Sequence, residues 1–186
     1  MRRVSLLLLV AACGGAKATN GPTAAAGSFE PIAKVLDHPR CRNCHIPGDS
    51  PLVGDDSQPH PMFVVRGTEG KGAVGLECQT CHGSANLPAG YDPHAPPGAP
   101  NWHLPPPERK MVFIGKSPAE ICRGLKDTTQ NGGKNLAQLL EHMTADKLVL
   151  WGWDPGPGRA PVSVPHDQVV AQFKAWVDAG GPCPGG

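Results

Sequence analysis

Apolar positions along the chain follow several different spacings. Val4 to Ala12 is almost continuous, broken only by Ser5, and follows the basic Met1-Arg2-Arg3. Phe29 to Asp37 (FEPIAKVLD) predicts a short helix with Ser28 as its cap. Leu136, Leu139, Leu140 and Met143 recur at i, i+3, i+4 and i+7, which predicts an amphipathic helix with His142 at its end. Val169, Val170, Phe173, Trp176 and Val177 predict a last helix from about His166 to Ala179, stopped by Gly180-Gly181-Pro182. Another helix is announced by end chemistry. Ser117-Pro118-Ala119-Glu120 combines a capping Ser, a Pro at the first helical position and a Glu at the third, so a helix should run to about Lys126. Residues 46 to 77 read as a loop, with turns at Pro47-Gly48 and Asp55-Asp56 and a short strand at Met62 to Arg66. Residues 83 to 110 are Pro-rich and should be extended. The expected fold class is mainly α with extensive loops and little or no sheet.

Composition changes this picture in one respect. The 24 Gly and 22 Pro make up a quarter of the 186 residues, and only nine residues are aromatic. Without a repeat, such a composition leans toward low complexity. The chain has too few large side chains to fill an ordinary core, so something else must contribute. The 17 basic and 16 acidic residues leave a formal charge of +1, which argues against a basic groove for nucleic acid. No apolar run reaches the roughly 20 residues of a membrane span.

Residues 1 to 12 read as a secretory signal peptide. Val10-Ala11-Ala12-Cys13 resembles a bacterial lipobox, in which cleavage leaves Cys13 as a lipid-bearing N-terminus; the alternative is an ordinary signal with a Cys nearby. Gly14 stands where an Asp would resemble an inner-membrane retention signal, so the expected location is the periplasmic face of the outer membrane, held by a lipid anchor only. Residues 13 to 27 read as a flexible tether, and 28 to 186 as one domain.

Two segments carry the chemistry: Cys41-Arg-Asn-Cys44-His45 and Cys78-Gln-Thr-Cys81-His82. C-x-x-C-H is the attachment signal of c-type haem. Two thiols three positions apart form thioethers to the two vinyl groups of one haem, and the adjacent His reaches the iron. Two covalent haems are therefore expected, on Cys41, Cys44, His45 and on Cys78, Cys81, His82. A zinc ribbon would also use paired C-x-x-C, but with shorter spacing and without a His after each pair. A thioredoxin-type site would need a βαβ pattern, which is not evident. Of the seven Cys, one for lipid and four for haem leave Cys122 and Cys183, an expected disulfide in an oxidising compartment, or two buried thiols.

Each haem iron takes a sixth ligand unless it is an open site. His38 is three residues before Cys41 and would struggle to reach the opposite face; His94 and His166 read as solvated. His60, His103 and His142 are the candidate distal ligands, with Met62 and Met143 as alternatives to His60 and His142. In Trp151-Gly-Trp-Asp-Pro-Gly-Pro-Gly-Arg159, Arg159 could pair with a haem propionate, though the loop also reads as a packed structural turn.

His38-Pro-Arg-Cys-Arg-Asn-Cys-His45, Asn101-Trp-His-Leu-Pro105 and the Trp151 to Arg159 loop together resemble a group of bacterial dihaem cytochrome c proteins often labelled isoquinoline oxidoreductase subunit. The resemblance covers about residues 28 to 184. It implies an electron-relaying cytochrome whose partner is a redox protein, such as a molybdenum hydroxylase-type oxidoreductase or a respiratory chain component. The chain has no molybdopterin or iron–sulfur pattern, so hydroxylase catalysis does not carry over. The sequence thus predicts an electron carrier and not an enzyme. The alternatives are a small peroxidase-like haem enzyme, a haem-based sensor with one open coordination site, or a module that uses haem only as a structural staple. If haem fills the core, the haem-free chain should be largely unfolded apart from local helices.

Overall fold

In the computed structural model, which describes residues 27 to 185, a helical layer packs against a long looped segment. The signal peptide, Cys13 and all of the tether but Gly27 lie outside the described residues. Gly27 itself belongs to the fold: it is buried and at φ +83°, and a Cβ there would meet the Ala179 side chain at 2.9 Å.

The chain enters through α1 (Glu30–Leu36). The N-cap position falls on Phe29, while the Ser28 Oγ accepts from the Glu30 N–H at 3.4 Å, so Ser28 still supplies the side-chain cap bond. Phe29 is buried and its ring lies 5.2 Å from that of Trp176, so burying the ring also fixes this end of the helix. A short turn follows, α2 (Pro39–Arg42), with His38 as its N-cap. The His38 Nδ1 accepts from the Arg40 backbone N–H at 3.2 Å, which commits this ring to a local role.

The segment from 43 to 115 is mostly loop. It holds two antiparallel ladders of two residues per strand: β1 (Leu52–Val53) with β2 (Gln58–Pro59), and β3 (Gly72–Ala73) with β4 (Leu76–Glu77). The strand expected at Met62 to Arg66 is not formed. Pro61–Phe63 is instead a tight turn in which Met62 (φ 66°) and Phe63 (φ 53°) are left-handed. Residues 83 to 110 form no α-helix, as their prolines require; they are extended stretches broken by turns, among them those at 88–91 and 92–95 and a 3-10 turn at Pro107–Arg109. The helix α3 (Cys78–Cys81) carries the second C-x-x-C pair.

The C-terminal helices are α4 (Pro118–Lys126), α5 (Leu136–Ala145), α6 (Lys147–Leu150) and α7 (His166–Asp178). Ser117 and Glu120 form the expected capping box on α4. A second box, Asn135 with Gln138, starts α5. Asp146 then caps α6 through the Leu148 and Val149 N–H groups. The apolar faces of α1, α4, α5 and α7 close one core around Ile32, Ile121, Leu139, Phe173 and Trp176. The helices pack a core of side chains, and several of its members, Leu36, Leu125, Leu139 and Phe173, also border an open cavity. Cys122 and Cys183 are disulfide-bonded and tie α4 to the segment after α7, where the Trp176 indole N–H donates to the Pro182 carbonyl. No helix among the described residues is long and apolar enough to cross a membrane.

Candidate cofactor sites

After α2 the chain continues turning, so that Cys44 and His45 both donate to the Cys41 carbonyl. The His45 ring stacks on Phe113 at 4.0 Å and 15°. Its Nδ1 lies 2.7 Å from the Met111 carbonyl. A carbonyl only accepts, so Nδ1 carries the hydrogen and Nε2 keeps its lone pair. Burial lowers the His45 pKa to about 4, which keeps the ring neutral. An oriented, neutral imidazole with one nitrogen tied to a carbonyl is the usual state of a metal-ligating His.

His45, Cys41 and Cys44 line a cavity of about 350 Å³. His103, His142 and Met143 line the same cavity, and Leu36, Leu125, Leu139 and Phe173 contribute apolar wall. His103 is oriented as His45 is, its Nδ1 lying 2.5 Å from the Asn101 carbonyl. His142 is held through Nδ1 by the Asp146 carboxylate at 3.4 Å, and this hydrogen bond lowers Asp146 to about 2. Arg40 also lines the cavity. Its side chain is 4% exposed and pairs with Asp55, yet its buried Nε has no acceptor.

The second segment is more open. Cys78 and His82 are half-buried and Cys81 is exposed. His82 follows the same rule: Nδ1 lies 2.7 Å from the Pro97 carbonyl, and its ring stacks on Trp102 at 4.2 Å and 6°. Burial lowers its pKa as well. The His60 ring stands 6.1 Å away at 57°, with its own Nδ1 2.7 Å from the Pro61 carbonyl. Two imidazoles on opposite sides of one metal ion, each bonded at about 2.0–2.1 Å, hold their ring centres near this separation. The tilt is free in that arrangement, because each ring turns about its own metal–nitrogen axis. Among the described residues, the large apolar side chains left exposed all fall between 53 and 91, the stretch that contains this segment. Phe63 is 95% exposed and Val74 100%.

The two segments approach one another, since the Cys78 thiol adds to the upward shift of Cys44. Burial pushes the Cys41 thiol up to about 12 and that of Cys44 to about 11. A redox-active dithiol needs a lowered pKa, so these thiols do not suit thioredoxin-type exchange. Among the described residues no three His, Cys, Asp or Glu side chains converge as zinc would require. A haem does not ask for such a cluster, because the porphyrin fills four of the six positions on its iron.

The remaining candidates are placed elsewhere. His94 is exposed, and the His166 Nε2 lies 2.9 Å from the Met143 carbonyl. Met62 is 68% exposed in the turn beside His60. Arg159 is engaged by the carbonyls of Ala95, Pro155 and Pro157, so it serves the structural turn. Several contributors carry no sequence signal. Arg66, 1% exposed, binds the carbonyls of Ile46, Gly48 and Pro105 and so joins three stretches of loop around the sites. Phe113 and Trp102 back the two histidines without any fixed spacing from them. Left-handed non-glycine residues mark the loops: Met111 and Asn101 supply the carbonyls that orient His45 and His103, and Met62 and Phe63 follow Pro61. Such conformations cost about 1–3 kcal/mol each and gather at functional sites.

Set against known protein families, curated proteins and solved structures, the chain matches none of them.

Proposed function

We propose that this protein is an exported dihaem c-type cytochrome that relays single electrons between redox partners. One observation carries the reading. Each C-x-x-C-H histidine has Nδ1 tied to a backbone carbonyl, and each has another oriented histidine near it, His60 at 6.1 Å from His82 and His142 and His103 around the cavity of His45. Bound at these places, haem supplies a one-electron iron couple.

The chain's own residues fit that group. Cys41 and Cys44 stand on the wall of the 350 Å³ cavity, and its apolar lining suits a porphyrin. The acceptor-less Nε of Arg40 calls for a carboxylate, and a propionate is one. At the second segment, the exposed apolar side chains between 53 and 91 are those a second porphyrin would cover. His60 is the distal ligand for His82. His142 is preferred for His45, because it lines the cavity with its Nδ1 fixed by a carboxylate, that of Asp146, where His103 has only a carbonyl. His103 and Met143 are the alternatives there. The second haem is the solvent-facing one and suits exchange with a partner, of the molybdenum hydroxylase or respiratory type. Cys13 supplies the lipid tether at the periplasmic face of the outer membrane.

The mature protein, run on a denaturing gel and stained for haem peroxidase activity, should stain, and its mass should exceed that of the processed chain by two haems. A chain without covalent haem overturns the reading. A high-spin ferric spectrum from one haem would move it to the peroxidase-like or sensor alternative.

A further inference from the structure

We propose that Trp102 is the electronic bridge between the two cofactor sites. The inference rests on the dihaem reading and adds the route by which the two sites communicate. The Trp102 indole lies face to face with the His82 ring at 4.2 Å and 6°. The same indole lines the cavity of Cys41, Cys44 and His45. One rigid π system therefore touches the proximal imidazole of the second site and the space for the first macrocycle. Electron tunnelling weakens steeply across gaps and less so through atoms in van der Waals contact. A single indole spanning both sites removes such a gap.

The bridge is held in place. Trp151, which also lines the cavity, meets the Trp102 ring edge-on at 4.9 Å and 78°. The Trp151 indole N–H donates to the Asn86 Oδ1 at 3.1 Å. Two residues after Trp102, the buried Leu104 donates its backbone N–H to the Gly70 carbonyl at 2.8 Å. Gly70 is at φ +77°, and a Cβ there would lie 1.8 Å from the Leu104 carbonyl oxygen, so only glycine permits this approach. Between these fixed points, Trp102 faces one site and its neighbour His103 lines the other.

The step is a balanced transfer. With haem bound at both sites, the electron leaving one iron would be the one that arrives at the other, and Trp102 would only carry the coupling between them. The indole keeps its electrons and no proton moves, so no co-reactant is needed.

The test uses the two-haem protein, with Trp102→Leu and Trp102→Phe. Haem count by mass comes first: a protein without covalent haem overturns the dihaem reading and the bridge with it. In half-reduced protein, exchange broadening of the haem methyl resonances reports the intramolecular electron-exchange rate. Trp102→Leu should slow exchange by an order of magnitude or more, beyond what any change in the two separately measured midpoint potentials accounts for. Trp102→Phe keeps a stacked ring and should recover most of the rate. A two-haem Trp102→Leu protein exchanging at the parent rate overturns the bridge and leaves the cytochrome reading standing. If Trp102→Leu fails to accumulate with both haems, Trp102→Phe decides alone. The smaller ring must slow exchange measurably, and an unchanged rate counts against the proposal.

Discussion

The two attachment segments should differ sharply in what they contribute to stability. On the dihaem reading, replacing Cys41 and Cys44 by Ala removes the group that would occupy the 350 Å³ cavity. At about 24 cal/mol per Å³, an emptied cavity of that size costs up to ~8 kcal/mol. Whole domains are stable by only about 5–15 kcal/mol. Water entering the cavity past the polar groups of Arg109 and Lys134 recovers part of the loss, which makes ~8 kcal/mol the upper end. Replacing Cys78 and Cys81 creates no comparable void, since Cys81 is already exposed and the apolar side chains of that stretch face solvent. The assay is urea unfolding followed by far-ultraviolet circular dichroism on the two double variants beside the parent. The Cys41/Cys44 variant should lose most of its cooperative transition. The Cys78/Cys81 variant should keep a transition and carry one haem. Equal midpoints for the two would refute the argument, because they would mean that the cavity does not need an occupant.

His60→Ala should convert the second haem from six- to five-coordinate, seen as a high-spin ferric signal, while His94→Ala leaves the spectrum alone; an unchanged low-spin spectrum in His60→Ala would remove His60 as a ligand. Replacing Cys122 and Cys183 by Ser opens a loop closed across 61 positions, for which the loop-entropy relation gives about 4 kcal/mol. At this chain length that corresponds to a Tm lower by about 10 °C in a thermal melt. Glu120 is held at about 2, below its usual 4.5, chiefly by the Ser117 backbone N–H and then by Lys116. A carboxylate lowered on folding stabilises fully above 4.5 and loses that contribution as pH falls through about 2. The Tm difference between the parent and Glu120→Gln should therefore stay constant above pH 4.5 and shrink below it.

How much of this was legible in the sequence depended on whether the signal was local. Cys41, Cys44 and His45 stand out because their spacing is the one haem attachment would use, and Ser117 with Glu120 does so because a capping box fixes theirs. Leu136, Leu139, Leu140 and Met143 follow the helical period because they share one face. The failures share the opposite property. The first turn of α1 is anchored by Phe29 on Trp176, well over a hundred residues away, beside the local Ser28 bond to the Glu30 N–H. The two-residue ladders at 52–59 and 72–77 are too short to show alternation, and Met62 to Arg66 had apolar residues without a partner strand. His82 with Trp102, His45 with the Met111 carbonyl and Arg66 with three carbonyls are all pairings across loops. Nothing at either end of such a pair fixes the distance to the other. His60, His103 and His142 stood out only as unexplained histidines, and their orienting partners Pro61, Asn101 and Asp146 emerged with the fold.

The thiols of Cys41 and Cys44 also set an order of events. With thiols pushed up to about 12 and 11, almost none of either would be ionised in the folded chain at ordinary pH, although both are only half-buried. On the cytochrome reading, haem ligation must then come before the helices close, while the exported chain is still extended. Export delivers the N-terminal part first, so the four haem cysteines emerge ahead of Cys122 and Cys183. Biogenesis can thereby separate thioether formation from disulfide formation by arrival time, and a delay in haem supply would leave the early thiols exposed to mispairing with the late ones.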